Sequence, residues 1–245
     1  MSRALHRVDT PLALPRSDVL HFLGYPAGRE PQPRIAALLD ECLQEARRLV
    51  RGRAVWTTLS ADEAPEIGLA PLPASGLVIG LATAGAAIVE AASERIARGD
   101  STAALLLDAC GSAAAEEAAD RASAAIVATL GGVADSSTEP GLAVDAALPA
   151  AAPDNRAAAI SCRISPGYGR WSLESQPALF ARLPHREIGV HLESTMLMVP
   201  RKSVSFAMWL GADARPIAGL SGCARCELES CRYRREPRAG LETGA

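Results

Sequence analysis

The chain has 245 residues, of which 49% are hydrophobic, 22% charged and 4% aromatic, and its formal net charge is −3. This composition predicts a folded protein with a core of Ala, Leu, Val and Ile, and it excludes a disordered chain. The net negative charge argues against a nucleic-acid binder that works by neutralising phosphates.

The sequence also bears on location. It has no uninterrupted apolar run of the roughly 18 residues that a membrane span needs. Residues 1–9 mix charged and apolar side chains and do not resemble a secretory signal. We therefore expect a cytoplasmic protein, in which the six cysteines act as free thiols or metal ligands rather than as disulfides.

The first half of the chain predicts both helices and strands. Residues 1–16 are polar and interrupted by proline, and they predict an N-terminal arm. Ser17 and Asp18 predict the cap of a short helix over residues 19–23, and apolar residues at helical spacing predict an amphipathic helix from Pro33. The further predicted elements are strands at 54–59, 66–72 and 76–83, a helix at 86–98 and a long helix at 102–130.

The long helix at 102–130 is nearly all apolar in its first part, which predicts burial on most sides. Small residues at 111–115 would let another backbone come close. Glu116 and Glu117 then stand together in apolar surroundings. Because adjacent helical residues point about 100° apart, one carboxylate can face inward while the other meets water. The alternative is that both are solvated.

The second half begins with residues 134–155, which are rich in Pro, Ala and Ser and predict a linker or long excursion. Strands are predicted at 157–164, 188–192 and 203–210, and a short helix at 174–183. The chain is thus divided into an arm (1–16), one folded domain (17–212) and a cysteine-bearing tail (213–245).

The stretch 162–169 combines a fixed cation with turn residues. Pro166 suits the first central position of a type II turn, and Gly167 suits the second, which needs positive φ. Arg163 can clamp a carboxylate with two parallel hydrogen bonds, so the stretch is a candidate site for a carboxylate-bearing ligand. The alternative is a surface turn with a solvated arginine.

The tail carries Cys223, Cys226 and Cys231 in a CxxC-x4-C arrangement, among five arginines between residues 225 and 238. Three thiolates at this spacing can bind one metal ion or cluster, and the cations favour the thiolate form. A fourth ligand would come from Cys110, Cys162 or a histidine, or the position would stay open. An open position favours an iron–sulfur cluster over structural zinc. The alternative is a tail without metal.

Several segments, in order, resemble one family. Arg163 to Tyr168 is similar to the Arg-x-x-x-Gly-Tyr signature of the activation domain of cobalamin-dependent methionine synthase. Residues 19–25, 111–116, 192–194 and 200–205 resemble further segments of that family. The resemblance covers most of residues 17–235 and is to the free-standing form of the domain, so we expect no methyltransferase or cobalamin-binding module in this chain.

This resemblance implies an α/β (α+β) fold with a twisted, mainly antiparallel sheet and packed helices. It implies reductive reactivation of a cobalamin protein, in which cobalt takes an electron from a redox partner and a methyl group from S-adenosylmethionine. Arg163 would bind the ligand carboxylate, and Ser165 and Gly167 would offer backbone contacts. Tyr168 would shape the pocket, and Glu116 or Glu117 would face the cationic end of the ligand.

The resemblance has two departures. Paired tyrosines of the full-length enzyme fall on about Ala207 and Met208, and the cysteine cluster has no counterpart in that enzyme. The expected partners are a cobalamin-binding methionine synthase or another corrinoid protein, and a flavodoxin- or ferredoxin-like electron donor. Two other functions stay open: a non-catalytic docking or chaperone module for a corrinoid methyltransferase, and an iron–sulfur reductive activase.

Overall fold

The computed structural model describes residues 4–26, 28–70, 74–130, 160–168 and 171–211. The Pro/Ala/Ser-rich segment 134–155 and the cysteine tail from residue 213 lie outside these ranges. None of the described helices is both long and apolar enough to cross a bilayer.

A four-stranded antiparallel sheet forms the centre of the fold, in the order β1-β2-β3-β6. Its strands are β1 (His6–Thr10), β2 (Gly52–Ser60), β3 (Gly76–Thr83) and β6 (Ser203–Leu210). The predicted strands at 54–59, 76–83 and 203–210 are confirmed. The edge strand β1 lies within the segment predicted as an arm, and its residues alternate between half-buried and exposed.

Every residue of β3 is buried, because helices or loops cover both faces of the sheet. Trp56, Gly80 and Phe206 lie in one cross-strand row. The Phe206 ring crosses Gly80 so closely that a Cβ there would stand 2.3 Å from Phe206 Cζ. The absence of a side chain at Gly80 therefore lets the aromatic ring pack flat on the middle of the sheet.

Four helices pack together on one side of the molecule. They are α1 (Arg16–Phe22), α2 (Pro33–Leu49), α3 (Ala87–Ala97) and α4 (Ser101–Leu130). The first half of α4 packs against the other three helices, and its second half covers the face of the sheet that carries Trp56 and Phe206. Small side chains let α4 come close to the helices, as predicted for residues 111–115, and alanines further along α4 let it come close to the sheet. The helices predicted from Pro33, at 86–98 and at 102–130 are confirmed within one or two residues.

The opposite face of the sheet is covered by short elements. These are 3₁₀ helices at Ala61–Ile67, Leu173–Ser175 and His185–Ile188, helix α5 (Gln176–Phe180), and a small hairpin of β4 (His191–Leu192) and β5 (Met198–Val199). Trp171 anchors this layer, since it is buried and its indole Nε1 donates to the carbonyl of Ile67 at 2.7 Å. The expectation of an antiparallel sheet with packed helices, an α+β fold, is confirmed.

Several predicted elements are wrong in detail. No strand lies at 66–70, because Glu63 accepts hydrogen bonds from the backbone and hydroxyl of Ser60 and starts a 3₁₀ helix, which Gly68 ends at φ 72°. Helix α1 begins at Arg16 after Pro15, without the predicted cap from Ser17 or Asp18. The strand predicted at 188–192 is limited to His191–Leu192, since a 3₁₀ helix occupies the residues before Gly189. The helix predicted at 174–183 is divided into a 3₁₀ turn and α5.

Candidate functional site

The segment 160–164 runs antiparallel along the outer edge of β6 and contains a β-bulge. Ile160 pairs with Leu210 and Ile164 with Ala207, so the segment takes four residue steps where β6 takes three. The extra residue reverses the alternation of side chains. Ile160 therefore packs under α4, whereas Ile164 packs on the opposite face. The regular strand predicted at 157–164 is thus wrong for residues 160–164, which form only isolated bridges.

Ser161 repairs the backbone pairing that the bulge interrupts. Its own N–H donates to the carbonyl of Trp209 at 3.0 Å, and its Oγ accepts the N–H of Trp209 at 2.8 Å. The hydroxyl also donates to the carbonyl of Cys162 at 3.0 Å. Ser161 is 2% exposed. A side-chain oxygen thus supplies the acceptor that a backbone carbonyl would provide in a regular ladder.

The bulge turns Arg163 toward α4. Its Nη1 donates to Asp120 Oδ1 at 2.6 Å and to Ser123 Oγ at 3.2 Å, and its Nη2 donates to Glu116 Oε2 at 3.2 Å. The Arg163 side chain is 19% exposed, against 39% for Glu116 and 53% for Asp120. One guanidinium is therefore shared by two carboxylates one helical turn apart. We call Arg163, Glu116, Asp120 and Ser123 the Arg163 cluster.

A type II turn follows Arg163 directly. The N–H of Tyr168 donates to the carbonyl of Ser165 at 3.1 Å, and Gly167 has φ 92°, as this turn type requires. The N–H of Gly167 donates to the carbonyl of Trp171 at 2.8 Å, which ties the turn to the buried Trp171. The predicted turn is confirmed. It sets Ser165 at intermediate burial and leaves Tyr168 62% exposed.

Glu117 points away from the Arg163 cluster. Its Oε1 accepts from Arg121 Nε at 2.8 Å and from the N–H of Ala13 at 3.4 Å. The side chain is 18% exposed. The two adjacent glutamates thus face different partners, and of the pair only Glu116 is joined to Arg163.

A second polar cluster lies further toward the start of α4. Lys202, 11% exposed, donates through Nζ to Asp108 Oδ2 at 2.9 Å and to Ser112 Oγ at 2.8 Å. Its methylene stem crosses Gly111, where a Cβ would come within 3.0 Å of Lys202 Cγ. Arg201 Nη2 lies 3.6 Å from Asp108 Oδ1. The segments 111–116 and 200–205, singled out by the resemblance, are therefore in contact.

The two clusters share one stripe of α4. Asp108, Ser112, Glu116 and Asp120 recur every fourth residue, and side chains at this spacing lie on one helix face. Sequence reasoning missed Asp108, Ser112 and Asp120 as partners of the basic residues. The four-residue spacing of these polar side chains in an otherwise apolar helix could have revealed them, because it places them on one face of α4.

The side chains of the described cysteines pack away from the Arg163 cluster. Cys42 and Cys110 are buried between α2 and α4, and burial raises the pKa of Cys42 to about 11 and that of Cys110 to about 12. Cys110 is 0% exposed inside the helix core, so it is poorly placed to join metal ligands from another segment. Cys162 is half-buried and packs on the sheet face opposite α4.

The predicted ligands Cys223, Cys226 and Cys231 lie outside the described residues. Within the described ranges, no group of three or more His, Cys, Asp or Glu side chains is arranged to hold a metal ion.

Comparison with known proteins gives a structural relative. The sequence matches no family model and no curated protein. The fold is similar to that of the MetH reactivation domain, solved with AdoHcy bound, with a TM-score of 0.50 and 12% sequence identity. The match covers 84% of this chain and 78% of the other. At this identity the likeness shows the fold: an antiparallel sheet with packed helices, as in that reactivation domain.

Proposed function

We propose that the chain binds an S-adenosyl ligand at the Arg163 cluster and the adjacent turn, and that it serves as a reactivation module for a corrinoid protein. The observation that carries the proposal is the ion pair between Arg163 and Glu116, 3.2 Å apart and next to a turn with a positive-φ glycine. The fold likeness to a reactivation domain solved with AdoHcy supports the same function.

A zwitterionic ligand is suited to this ion pair. The amino-acid end of S-adenosylmethionine carries a carboxylate and an ammonium group side by side. The carboxylate would take the guanidinium of Arg163, and the ammonium would take the carboxylate of Glu116. Arg163 and Glu116 would each exchange a protein partner for a ligand group of the same charge. Neither side chain would therefore be left unpaired in its partly buried position. Backbone groups at Ser165 and Gly167 and the ring of Tyr168 would complete the pocket wall.

The chain's contribution to the reaction would be positioning. The corrinoid partner would receive one electron from a flavodoxin- or ferredoxin-like donor, and the methyl group would pass from the sulfonium to cobalt, leaving the thioether. Holding the ligand in a fixed orientation converts an encounter of two reactants into a step within one complex, which is an orientation effect.

Calorimetry with S-adenosylmethionine and AdoHcy tests the binding. Arg163→Ala should weaken both ligands about 10- to 100-fold, because it removes the bond to the ligand carboxylate and leaves Glu116 and Asp120 to repel that carboxylate. Arg98→Ala is the matched control. Arg98 pairs with Glu94 on the exposed side of α3, so this variant should leave ligand binding unchanged. Equal affinities for the wild type and Arg163→Ala would refute the assignment of the site.

A docking or chaperone module is the second candidate, and one observation favours it. Tyr168 and Leu173, which flank the turn, are 62% and 46% exposed, as befits a surface that meets a partner. Incubation with a Co(II) corrinoid protein, a reductant and S-adenosylmethionine separates the two functions. Formation of methylcobalamin, followed by its visible spectrum, would exclude the binding-only function.

An iron–sulfur activase is the third candidate and depends on Cys223, Cys226 and Cys231. In that case the cluster would supply the electron in place of a separate donor. Anaerobic purification followed by iron analysis tests it, and a colourless protein without iron would remove it.

A further inference from the structure

One edge of the central sheet has no neighbouring strand among the described residues. Strand β1 stands at the end of the order β1-β2-β3-β6, whereas segment 160–164 runs along β6 at the other end. An open edge presents backbone N–H and C=O groups that can pair with another strand. What this edge can bind depends on which of its groups point outward and on the side chains that accompany them.

The direction of the backbone groups of β1 follows from the pairing of the other strands. Ala207 and Trp209 of β6 bond outward to segment 160–164, so the residues of β6 next to them bond inward to β3. Successive residues of an antiparallel strand bond to opposite neighbours, and the registers from β6 to β1 are continuous. The even-numbered residues of β1 therefore bond to β2. Arg7 and Asp9 direct their N–H and C=O groups away from the sheet.

The side chains of Arg7 and Asp9 lie on the face of the sheet opposite α4, where they are 48% and 56% exposed. They form an ion pair with each other at 3.0 Å. In the register with β2, Asp9 faces Arg53, but Arg7 faces the apolar Val55. No carboxylate of β2 thus stands opposite Arg7, and the outer side of β1 is where a further one could come.

We propose that the open edge of β1 binds β1 of a second copy of this chain, in an antiparallel pair centred on Val8. In this register Arg7 of each copy stands opposite Asp9 of the other. The backbone supports the same register, because these two opposed residues exchange hydrogen bonds only if their N–H and C=O groups point outward, as they do. Val8, whose groups point inward to β2, would form the pair without hydrogen bonds at the centre.

A second copy suits this edge because its charge pattern is complementary to itself. Charged side chains on an edge strand usually prevent pairing, and a row of like charges would repel its own copy. Arg7 and Asp9 have opposite signs and lie on either side of Val8, so a two-fold axis brings each charge opposite its counter-charge. The result is one continuous sheet with an Arg163 cluster near each far edge, since Arg163 belongs to the segment beside β6. The pairing does not depend on the proposed function.

The contact is confined to two short strands, so it buries less area than the roughly 1,200 Å² at the lower end of standard interfaces. We therefore expect a reversible dimer with a Kd on the order of 10–100 μM. Sedimentation velocity over a series of protein concentrations measures it. A wild type that stays monomeric up to about 1 mM, ten times the upper end of that range, would overturn the inference.

Exchange of the charges tests the register. Arg7→Asp and Asp9→Arg each place like charges opposite each other at both ends of the pair, so each variant alone should dimerise roughly tenfold or more weakly than the wild type. An equimolar mixture of the two variants is complementary again and should form a heterodimer about as strong as the wild-type dimer. The amides of Val8 and Thr10 should stay protected in each variant, which shows that β1 is still paired with β2.

Glu94→Arg is the matched control for these variants. It changes the charge as Asp9→Arg does, at another exposed ion pair, that of Arg98 and Glu94 on α3. It should dimerise like the wild type. If Glu94→Arg weakens the dimer as much as the β1 variants, or if the mixture of those variants stays monomeric, the proposed pairing is wrong.

A cross-link gives a second test that does not depend on charge. In the proposed register the two Val8 Cα atoms lie about 4.5 Å apart, within the range of a disulfide. Val8→Cys should therefore form a covalent dimer on mild oxidation, beyond any that the wild type forms under the same conditions. Leu5→Cys is the control, because Leu5 is 54% exposed but would lie about 20 Å from its copy. A cross-link in Leu5→Cys and none in Val8→Cys would refute this register.

Hydrogen exchange distinguishes a second copy from a segment of the same chain. The amides of Arg7 and Asp9 should exchange fast in dilute protein and slowly in concentrated protein, because only the dimer covers them. If both amides were protected in the dilute monomer, another part of the chain would cover the edge, and the inference would be overturned.

Discussion

Replacing Ser161 by alanine should test whether a side chain completes the β-bulge. The Ser161 hydroxyl accepts the N–H of Trp209 at 2.8 Å, and both residues are at most 3% exposed. Alanine is smaller than serine by one oxygen and creates no clash. The substitution therefore removes the acceptor and leaves the N–H of Trp209 buried without a partner.

The expected loss is the penalty for one unsatisfied buried donor, about 1–3 kcal/mol of the free energy of unfolding. Urea denaturation measures this loss directly, and thermal unfolding should show a lower Tm by roughly 2–4 °C for each kcal/mol. Amide hydrogen exchange gives a local readout, because the N–H of Trp209 should exchange faster than its neighbours on β6.

Ser93→Ala is the matched control. The hydroxyl of Ser93 donates to the carbonyl of Val89 at 2.8 Å on the exposed side of α3, so its removal should change the unfolding free energy by no more than about 0.5 kcal/mol. If Ser161→Ala were as stable as Ser93→Ala and the exchange of Trp209 unchanged, the hydroxyl would not be what completes the bulge.

Three further predictions concern the glycines and the buried thiols. Gly80→Ala should destabilise the protein by about 1–3 kcal/mol in urea, because its Cβ would lie 2.3 Å from the ring of Phe206; stability equal to wild type would refute this. Gly167→Ala should cost about 1–2 kcal/mol in the same assay, from φ 92° alone, since the nearest atom to its Cβ is 3.7 Å away. Burial raises the pKa of Cys42 from 9.0 to about 11 and that of Cys110 from 9.0 to about 12. Above pH 9 these thiols therefore lose their protons in the unfolded chain but keep them in the folded protein, so the free energy of unfolding falls as the pH rises. That loss, up to about 1.4 kcal/mol per thiol per pH unit, should be absent when both cysteines are alanine, as urea unfolding at pH 8 and pH 10 would measure.

Elements with one dominant local signal were predictable from the sequence. Strand β3 is buried along its whole length, so its eight residues form one apolar run between turn residues. Helix α4 has a long run of alanines and leucines without proline. In both cases the run of apolar residues by itself indicates a buried element. The element can therefore be predicted without knowledge of its tertiary contacts.

Elements that depend on a distant partner were not predictable in this way. Strand β1 is five residues long and half-exposed, so it has no apolar run and becomes a strand only by pairing with β2. The bulge at 160–164 depends on its register with β6, which no local pattern encodes. The 3₁₀ helix at Ala61–Ile67 is different, because the capping pair Ser60 and Glu63 was present in the sequence and outweighed the apolar residues after it.

The candidate site shows the same division. The turn residues Pro166 and Gly167 predicted their own geometry, since the conformations of proline and glycine are local properties. The partners of Arg163 could not be predicted with the same certainty. The choice between Glu116 and Glu117, and the addition of Asp120, depend on how α4 is rotated over the sheet. That rotation is determined by which alanines of α4 meet the strands.

The internal neutralisation of Arg163 determines what a ligand could gain from this site. In a pocket with a free cation, a ligand carboxylate gains the whole of a charge-assisted bond. Here it would gain only the difference between that bond and those which Glu116 and Asp120 already make. The cluster would therefore select a zwitterion over a simple anion, while most of the binding free energy would come from burying the rest of the ligand. An S-adenosyl ligand is divided in the same way, with a charged amino-acid end for selection and an adenosyl group for burial.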